Sequence, residues 1–471
     1  MSDTQKVAYN TVVQIIARVV TTLASLVAIG YLARYLGVEG YGQLTLIITY
    51  LALFGVVADF GFFLLQVREI TQKPEQEAYI AGNIFGLKLV LSVIAFSAAY
   101  ITSLFVYGNS IITTGILIGI IMQTAAILSQ VPVSMFQAHL QMQKVAVTNV
   151  VSRVFYLLLI IWGVSSDIGL LGMVWVMVAA NVAALVFQMA WAWRVAPIVP
   201  QGDLKYWRSF LIEAWPIGVV VVLATIYFRI DTVMLSVMKG DHEVGIYGAP
   251  YKVIEVMLTV PTIFMTSVFP IITKALSENW ERARQIFRKS FDFMALIALP
   301  LGFGVVIVGT PVMVLIAGSD FAASGPVLKL LIWATVISFF GGVLNYSIIA
   351  AGKQRILVWP YLVATAFNVV TNLIMIPRFS YMGAAITTVA TELLVFGYVM
   401  VMIYRWAKLT PALVVFTKSL VSAGIMFGVL YWAGLENLWL NIALGALIYG
   451  VGILATRAID KNIVRELFRS E

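Results

Sequence analysis

Residues 81–106 read AGNIFGLKLVLSVIAFSAAYITSLFV, an apolar run with a single charge, Lys88. As an α-helix at 1.5 Å per residue it is roughly 39 Å long, enough to cross the ~30 Å hydrocarbon core of a bilayer. It shows no two-residue alternation, so it is not a strand of a closed barrel, the other way to satisfy backbone groups in lipid. Lys88 is the anomaly. An ionised side chain at the bilayer centre costs roughly 2.5–3.5 kcal/mol even on insertion scales, so it needs a partner, a wet cavity or a function.

Runs of the same kind fill the chain. They lie at 11–33, 42–65, 110–136, 146–164, 169–193, 212–236, 246–270, 291–317, 325–350, 356–376, 382–403, 412–433 and 438–457. With 81–106 they make fourteen expected membrane helices, joined by connections too short for a soluble domain. The composition agrees: 61% of residues are hydrophobic and 11% charged, far from soluble usage. The first run is too long and too charged for a cleavable signal sequence and has no small-residue cleavage pattern after it. The fold class expected is therefore an all-α integral membrane protein.

An even number of crossings puts both termini on one side. Twenty of the 30 basic residues fall in segments on that side, among them Arg68, Lys73, Lys144, Arg282, Arg284, Lys353 and Arg405. Only Arg34, Lys239, Lys329 and Arg378 fall on the other. Basic residues gather in cytoplasmic loops, so both termini are expected in the cytoplasm, with the protein in the cell membrane. Near 277–291, Trp280, Phe287 and Phe291 alternate with Arg282, Arg284, Arg288 and Lys289, the pattern of a short amphipathic helix on anionic headgroups.

A repeat organises the spans. Glu39-Gly-Tyr-Gly42 at the second corresponds to Gly245-Ile-Tyr-Gly248 at the eighth. Leu171-Gly-Met-Val174 at the sixth corresponds to Met382-Gly-Ala-Ala385 at the twelfth. Each pair is six spans apart, which implies two six-helix lobes of like orientation, related by an axis along the membrane normal. The polar stretch 194–213 separates them. The expected domains are 1–198 (helices 1–6), 199–404 (helices 7–12, with the amphipathic linker) and 405–471 (helices 13–14 and a cytoplasmic tail).

The stretch Asn10 … Arg34-Tyr-Leu-Gly37-Val-Glu-Gly-Tyr-Gly42 resembles the polysaccharide transporter family of the multidrug/oligosaccharidyl-lipid/polysaccharide exporter superfamily. Asp59-Phe-Gly61 with Arg68-Glu69, then Pro216, Asp231-Thr-Val-Met-Leu235, Phe269-Pro270 and Tyr381-Met-Gly383 are similar to that family's later helices, in order. The resemblance implies a V-shaped bundle around an amphipathic central cavity. It also implies a cargo of polyisoprenyl-(pyro)phosphate-linked oligosaccharide, flipped from the inner to the outer leaflet by alternating access. Glycosyltransferases and a polysaccharide polymerase are the protein partners expected beside the membrane lipids.

The lone cations fit an anionic cargo. Arg18, Lys88 and Arg153 lie in spans 1, 3 and 5, and none has an acid three or four positions away on its own helix. Arginine suits two-pronged contacts to phosphate, whereas lysine acts as a point charge. Arg229 and Lys252 complete the candidate cationic set. Against this stand a structural contact of these three cations to backbone carbonyls or to Asp59, and an ion pair of Lys252 with Glu255, three residues on. Arg229 and Asp231 are two apart and point away from each other. Glu392, Asp231 and Asp59 are the candidates for ion coupling, and Glu392 could equally neutralise a cation on a neighbouring helix.

Other chemistries find less support. The chain has no cysteine and only two histidines, His139 and His242, so no metal cluster is expected. No phosphate loop is present, no catalytic residues are identified, and the chain is read as a non-enzyme. No nucleic-acid partner and no cofactor is expected beyond a proton gradient, a sodium gradient or the membrane potential. A lipid II flippase is the nearest alternative function. A cation-coupled multidrug exporter, expected to have twelve spans and an acid-rich cavity, is the next.

Overall fold

A computed structural model describes residues 3–458. The tail 459–471, with Lys461, Arg465 and Arg469, lies outside the described residues. The described residues form helices: α1 (Asp3–Asp59), α2 (Phe62–Gln72), α3 (Glu77–Tyr107), α4 (Ile111–Ala138), α5 (Met142–Ser165), α6 (Gly169–Ala192) and α7 (Leu204–Lys239). They continue as α8 (Asp241–Met257), α9 (Thr259–Glu278), α10 (Trp280–Ala317), α11 (Ser324–Ala350), α12 (Val358–Ala407), α13 (Leu413–Ala433) and α14 (Leu438–Ala455).

Twelve helical stretches among the described residues are long and apolar enough to cross a membrane. Two of them, Ile16–Gln72 and Gln354–Ala407, are 57 and 54 residues long. A straight helix of that length would measure roughly 80–85 Å, more than twice a bilayer core. The first is broken inside α1 at Gly37 (φ 67°, ψ −178°) and again at the Phe60–Gly61 turn before α2, and the second inside α12 at Ser380 (φ 50°, ψ −134°). Glycine reaches positive φ without a Cβ penalty, which explains Gly37. On the far side of Ser380 the chain folds back, for Asn368 Nδ2 donates to Thr391 Oγ1 at 3.3 Å. Dividing these two stretches turns twelve into fourteen crossings.

Packing separates two compact units, Met1–Gly248 and Ala249–Glu471, with the boundary inside α8. In the first unit α1 is the spine, packing on α3, α4, α5 and α7, while α4 and α5 both pack on α6. Two of the repeat glycines meet here. A Cβ on Gly42 would collide with the Asp241 carbonyl oxygen, and one on Gly245 with the Val38 carbonyl oxygen. Backbone thus meets backbone where α1 crosses the start of α8. Gln43 Nε2 secures the crossing by donating to Asp241 Oδ2 at 3.2 Å.

The polar stretch 194–213 is a strap pinned to α3. Gln201 N donates to Gly82 O at 3.0 Å, and Asp203 N to Asn83 Oδ1 at 2.9 Å. Asn83 Nδ2 donates to Gln201 Oε1 at 3.1 Å, and Trp207 Nε1 to Asn83 O at 2.9 Å. Beyond the strap, Phe210 packs edge-on against Phe62, and Arg68 pairs with Glu213. These bonds hold the beginning of α7 within the first unit. The expected lobes divide at 198/199; the compact units divide fifty residues later for this reason.

In the second unit α10 packs on α11, α13 and α14, and α11 packs on α12. The amphipathic segment near 277–291 is split at Asn279, whose Oδ1 caps α10 by accepting from Arg282 N at 3.0 Å. Its basic turns run on without a break into the membrane helix α10. Ala283, Phe287 and Phe291 are buried, while Arg282 and Lys289 are exposed.

Candidate functional site

Three helices of the first unit present one stripe each to a shared cavity of about 330 Å³. From α1 come Arg18 and Thr21, one turn apart. From α5 come Asn149, Ser152, Arg153 and Tyr156; from α6, Met177, Ala180, Asn181 and Ala184. Both quartets follow the i, i+3, i+4, i+7 spacing of a single helix face. The small side chains of Ala180 and Ala184 leave the space that the arginines overlook.

The lining carries two guanidinium groups and no carboxylate. Among the described residues no acid pairs with Arg18 or Arg153. Arg18 is exposed and Arg153 half-buried. The Arg153 guanidinium lies 5.6 Å from the centre of the Tyr156 ring, a cation–π distance that fixes the fork while leaving its N–H edge available. Thr21 Oγ1 returns a bond to Arg18 O at 3.0 Å, and Asn181 Nδ2 donates to Met177 O at 2.9 Å. The Asn181 carbonyl oxygen and the Asn149 and Ser152 side chains add neutral polar groups. The arrangement suits a ligand with two or more anionic oxygens beside a polar, uncharged body.

The other expected cations lie outside this lining. Lys88 is fully buried on α3, with Nζ 2.7 Å from Asp59 Oδ1 on α1. That pair engages one expected cavity cation and one expected coupling acid together. Lys252 pairs with Glu255 at 2.8 Å along α8. Arg229 is half-buried on α7. Asp231, two residues later, is fully buried and accepts from Thr232 N at 2.8 Å and from the Tyr247 hydroxyl of α8.

Glu392 on α12, 5% exposed, accepts from Ser338 Oγ of α11 at 2.9 Å. It borders a run of buried polar groups in which Asn372 Nδ2 donates to Asn368 Oδ1 at 3.0 Å. The sequence reading did not single out Asn149, Ser152, Tyr156 or Asn181. Their only signal is polar spacing around Arg153 on one face of span 5, with a lone asparagine in span 6.

Comparison with known proteins decides the family. Residues 7–276 match the family described as polysaccharide biosynthesis protein, and residues 216–374 match the family described as MatE. The chain belongs to the polysaccharide biosynthesis protein family.

Among its relatives is the probable low-salt glycan biosynthesis flippase Agl15 of Haloferax volcanii, 21% identical over 94% of both chains. The capsular polysaccharide biosynthesis protein CapF of Staphylococcus aureus is 20% identical over 71% of this chain and 84% of that one. Among solved structures, the lipid II flippase MurJ in an inward closed conformation superposes with a TM-score of 0.78. That match covers 98% of this chain and all of the other at 13% identity. An inward-facing multidrug MATE transporter gives a TM-score of 0.67 over 85% of this chain, at 14% identity. At such identities the likeness is one of fold. It covers nearly the whole family member, including the helices that build the arginine cavity.

Proposed function

We propose that the chain is a flippase moving a polyisoprenyl-(pyro)phosphate-linked oligosaccharide from the cytoplasmic to the outer leaflet, by alternating access, for assembly of a surface polysaccharide or glycan. The observation that carries the reading is the cavity in which Arg18 and Arg153 lie without a carboxylate. Two guanidinium groups facing one cavity suit pyrophosphate oxygens in two-pronged fashion, and the asparagine and serine groups suit sugar hydroxyls. The isoprenoid tail stays in the bilayer. A cationic drug would meet repulsion from the same two arginines, which disfavours a multidrug exporter.

Both termini are assigned to the cytoplasm from the basic-residue bias, and the membrane to the cell membrane. Polymerase and glycosyltransferases are the partners this role would place on the two sides. For coupling, Asp59 is held by Lys88, and Asp231 by Tyr247 and Thr232. Glu392, a buried acid within a crossing, is assigned the coupling proton or ion. The reading is tested by complementing a flippase-deficient strain with a defined glycan, with accessibility tags on both termini. Restored export with both tags cytoplasmic supports it; failure to export any lipid-linked glycan, or an outside terminus, counts against it.

A further inference from the structure

The second unit carries a cavity of its own, an open groove of about 680 Å³ along α12. Its wall is Leu394, Tyr398, Val401 and Met402, one helix stripe, with Ile356 facing it from the segment before α12. Val401 is 50% exposed and Tyr398 36%. Between Leu394 and Val401 the wall has a notch, since a Cβ on Gly397 would meet no atom within 4 Å.

One end of the groove is basic and aromatic. Arg405 and Trp406 close it. Lys353 Nζ sits 5.1 Å above the Trp406 ring, whose edge meets Trp280 at 5.9 Å. Lys353, Arg355, Arg405 and Lys408 are all exposed, and no acid among the described residues pairs with them. Clustered tryptophans beside cations mark the headgroup level of a membrane protein. From Leu394 to Arg405 the helix rises roughly 16 Å, about half a ~30 Å core, the depth of one leaflet.

We infer that this groove is a binding site for an anionic phospholipid, with one acyl chain along the α12 stripe and its phosphate on Arg405. The charge at the head end argues for an anionic lipid over a zwitterionic one. The one-leaflet depth fits an ordinary acyl chain, whereas a polyisoprenoid would overrun it. Its lining residues belong to the second unit, whereas the arginine cavity is lined by the first.

The test uses the purified full chain, with phosphatidylglycerol or phosphatidylcholine of matched acyl chains added in detergent, and bound lipid counted by native mass spectrometry. Wild type should prefer phosphatidylglycerol by roughly fivefold or more, from at least one headgroup contact to a cation. Arg405→Gln, an exposed change that leaves the helix intact, should reduce that preference to near parity. Gly397→Trp, which fills the notch, should lower occupancy by both lipids. Equal binding of the two lipids by wild type would overturn the inference, as would unchanged phosphatidylglycerol occupancy in both variants. A polyisoprenyl phosphate that displaces phosphatidylglycerol at equimolar amounts would also overturn it, by giving the groove to the cargo tail.

Discussion

Lys88 Nζ lies 2.7 Å from Asp59 Oδ1, joining the middle of α3 to the end of α1 inside the first unit. The lysine side chain is fully buried, while the aspartate keeps 27% of its surface. In a setting this dry, each charge is tolerable only while the other is present. The pair engages the Lys88 charge in a buried bond between two helices.

Removing one member should be costly. Asp59→Leu alone is expected to destabilise the protein by about 3–5 kcal/mol, since it strands the fully buried Lys88 charge, and Lys88→Met by less, since Asp59 keeps part of its surface. The double variant should recover most of that loss, and thermal unfolding of the purified proteins measures it. A double variant as unstable as the worse single one would show that the two charges act separately.

The crossing of α1 over the start of α8 tolerates no side chain at Gly42 or Gly245, because each faces a carbonyl oxygen of the other helix. Gly42→Ala is expected to cost about 1–3 kcal/mol, by forcing the backbones apart. Gly397→Ala, in open space, should be neutral or slightly stabilising, as alanine is the better helix former. Unfolding midpoints of the two variants, compared side by side, check the contrast.

Asn83 and Asp203 hold the strap. Asn83→Ala removes bonds to Gln201 and Asp203 and should make the 196–203 segment susceptible to protease, with little change elsewhere. Asp203 adds a pH dependence. Its carboxyl is held below its ordinary value of 3.8, first by the Tyr79 hydroxyl at 2.6 Å and then by the N–H groups of Tyr206 and Lys205. A lowered folded value means stability that is fully present above 3.8 and lost as pH falls through the folded value. Protease cleavage of the strap should thus rise only in that acidic window, and Asp203→Asn should flatten the profile.

Glu392→Gln separates coupling from support. The amide oxygen can still accept from Ser338 Oγ, so the variant should fold and bind cargo as wild type does, yet lose gradient-driven transport. Transport assayed in vesicles with and without an imposed gradient reads the difference. Unfolding of the variant would instead give Glu392 a structural role, as the neutraliser of a neighbouring cation.

The crossings were legible because apolar runs of about 20 residues carry their meaning locally. Gly37 and Ser380 were harder. Each joins two crossings into one helical stretch, yet the expected spans 11–33 and 42–65, and 356–376 and 382–403, already divide on either side of them; what the sequence lacks is the single residue at which each helix breaks. Arg18 and Arg153 stood out in the sequence because a cation without a local acid is conspicuous in an apolar run, and the structure brings those two to one cavity. Asn149, Ser152 and Asn181 gain meaning only when α5 packs on α6. The polar composition of 194–213 shows a break between helices but not its anchorage, since the bonds that pin it reach back 118 to 124 positions to Asn83. No local pattern encodes pairings at that range.

The central claim is that Arg18 and Arg153 receive the phosphates of the cargo. Its most direct measurement is the rate at which reconstituted protein moves a fluorescent polyisoprenyl-pyrophosphate-linked oligosaccharide across vesicles. Arg18→Ala and Arg153→Ala should each slow it roughly ten- to a hundredfold, the loss expected for one charge-assisted contact of about 1.5–3 kcal/mol. Lysine at either position should restore only part of the rate, because the planar fork is gone. Wild-type rates in both alanine variants, with the protein folded, would contradict the account.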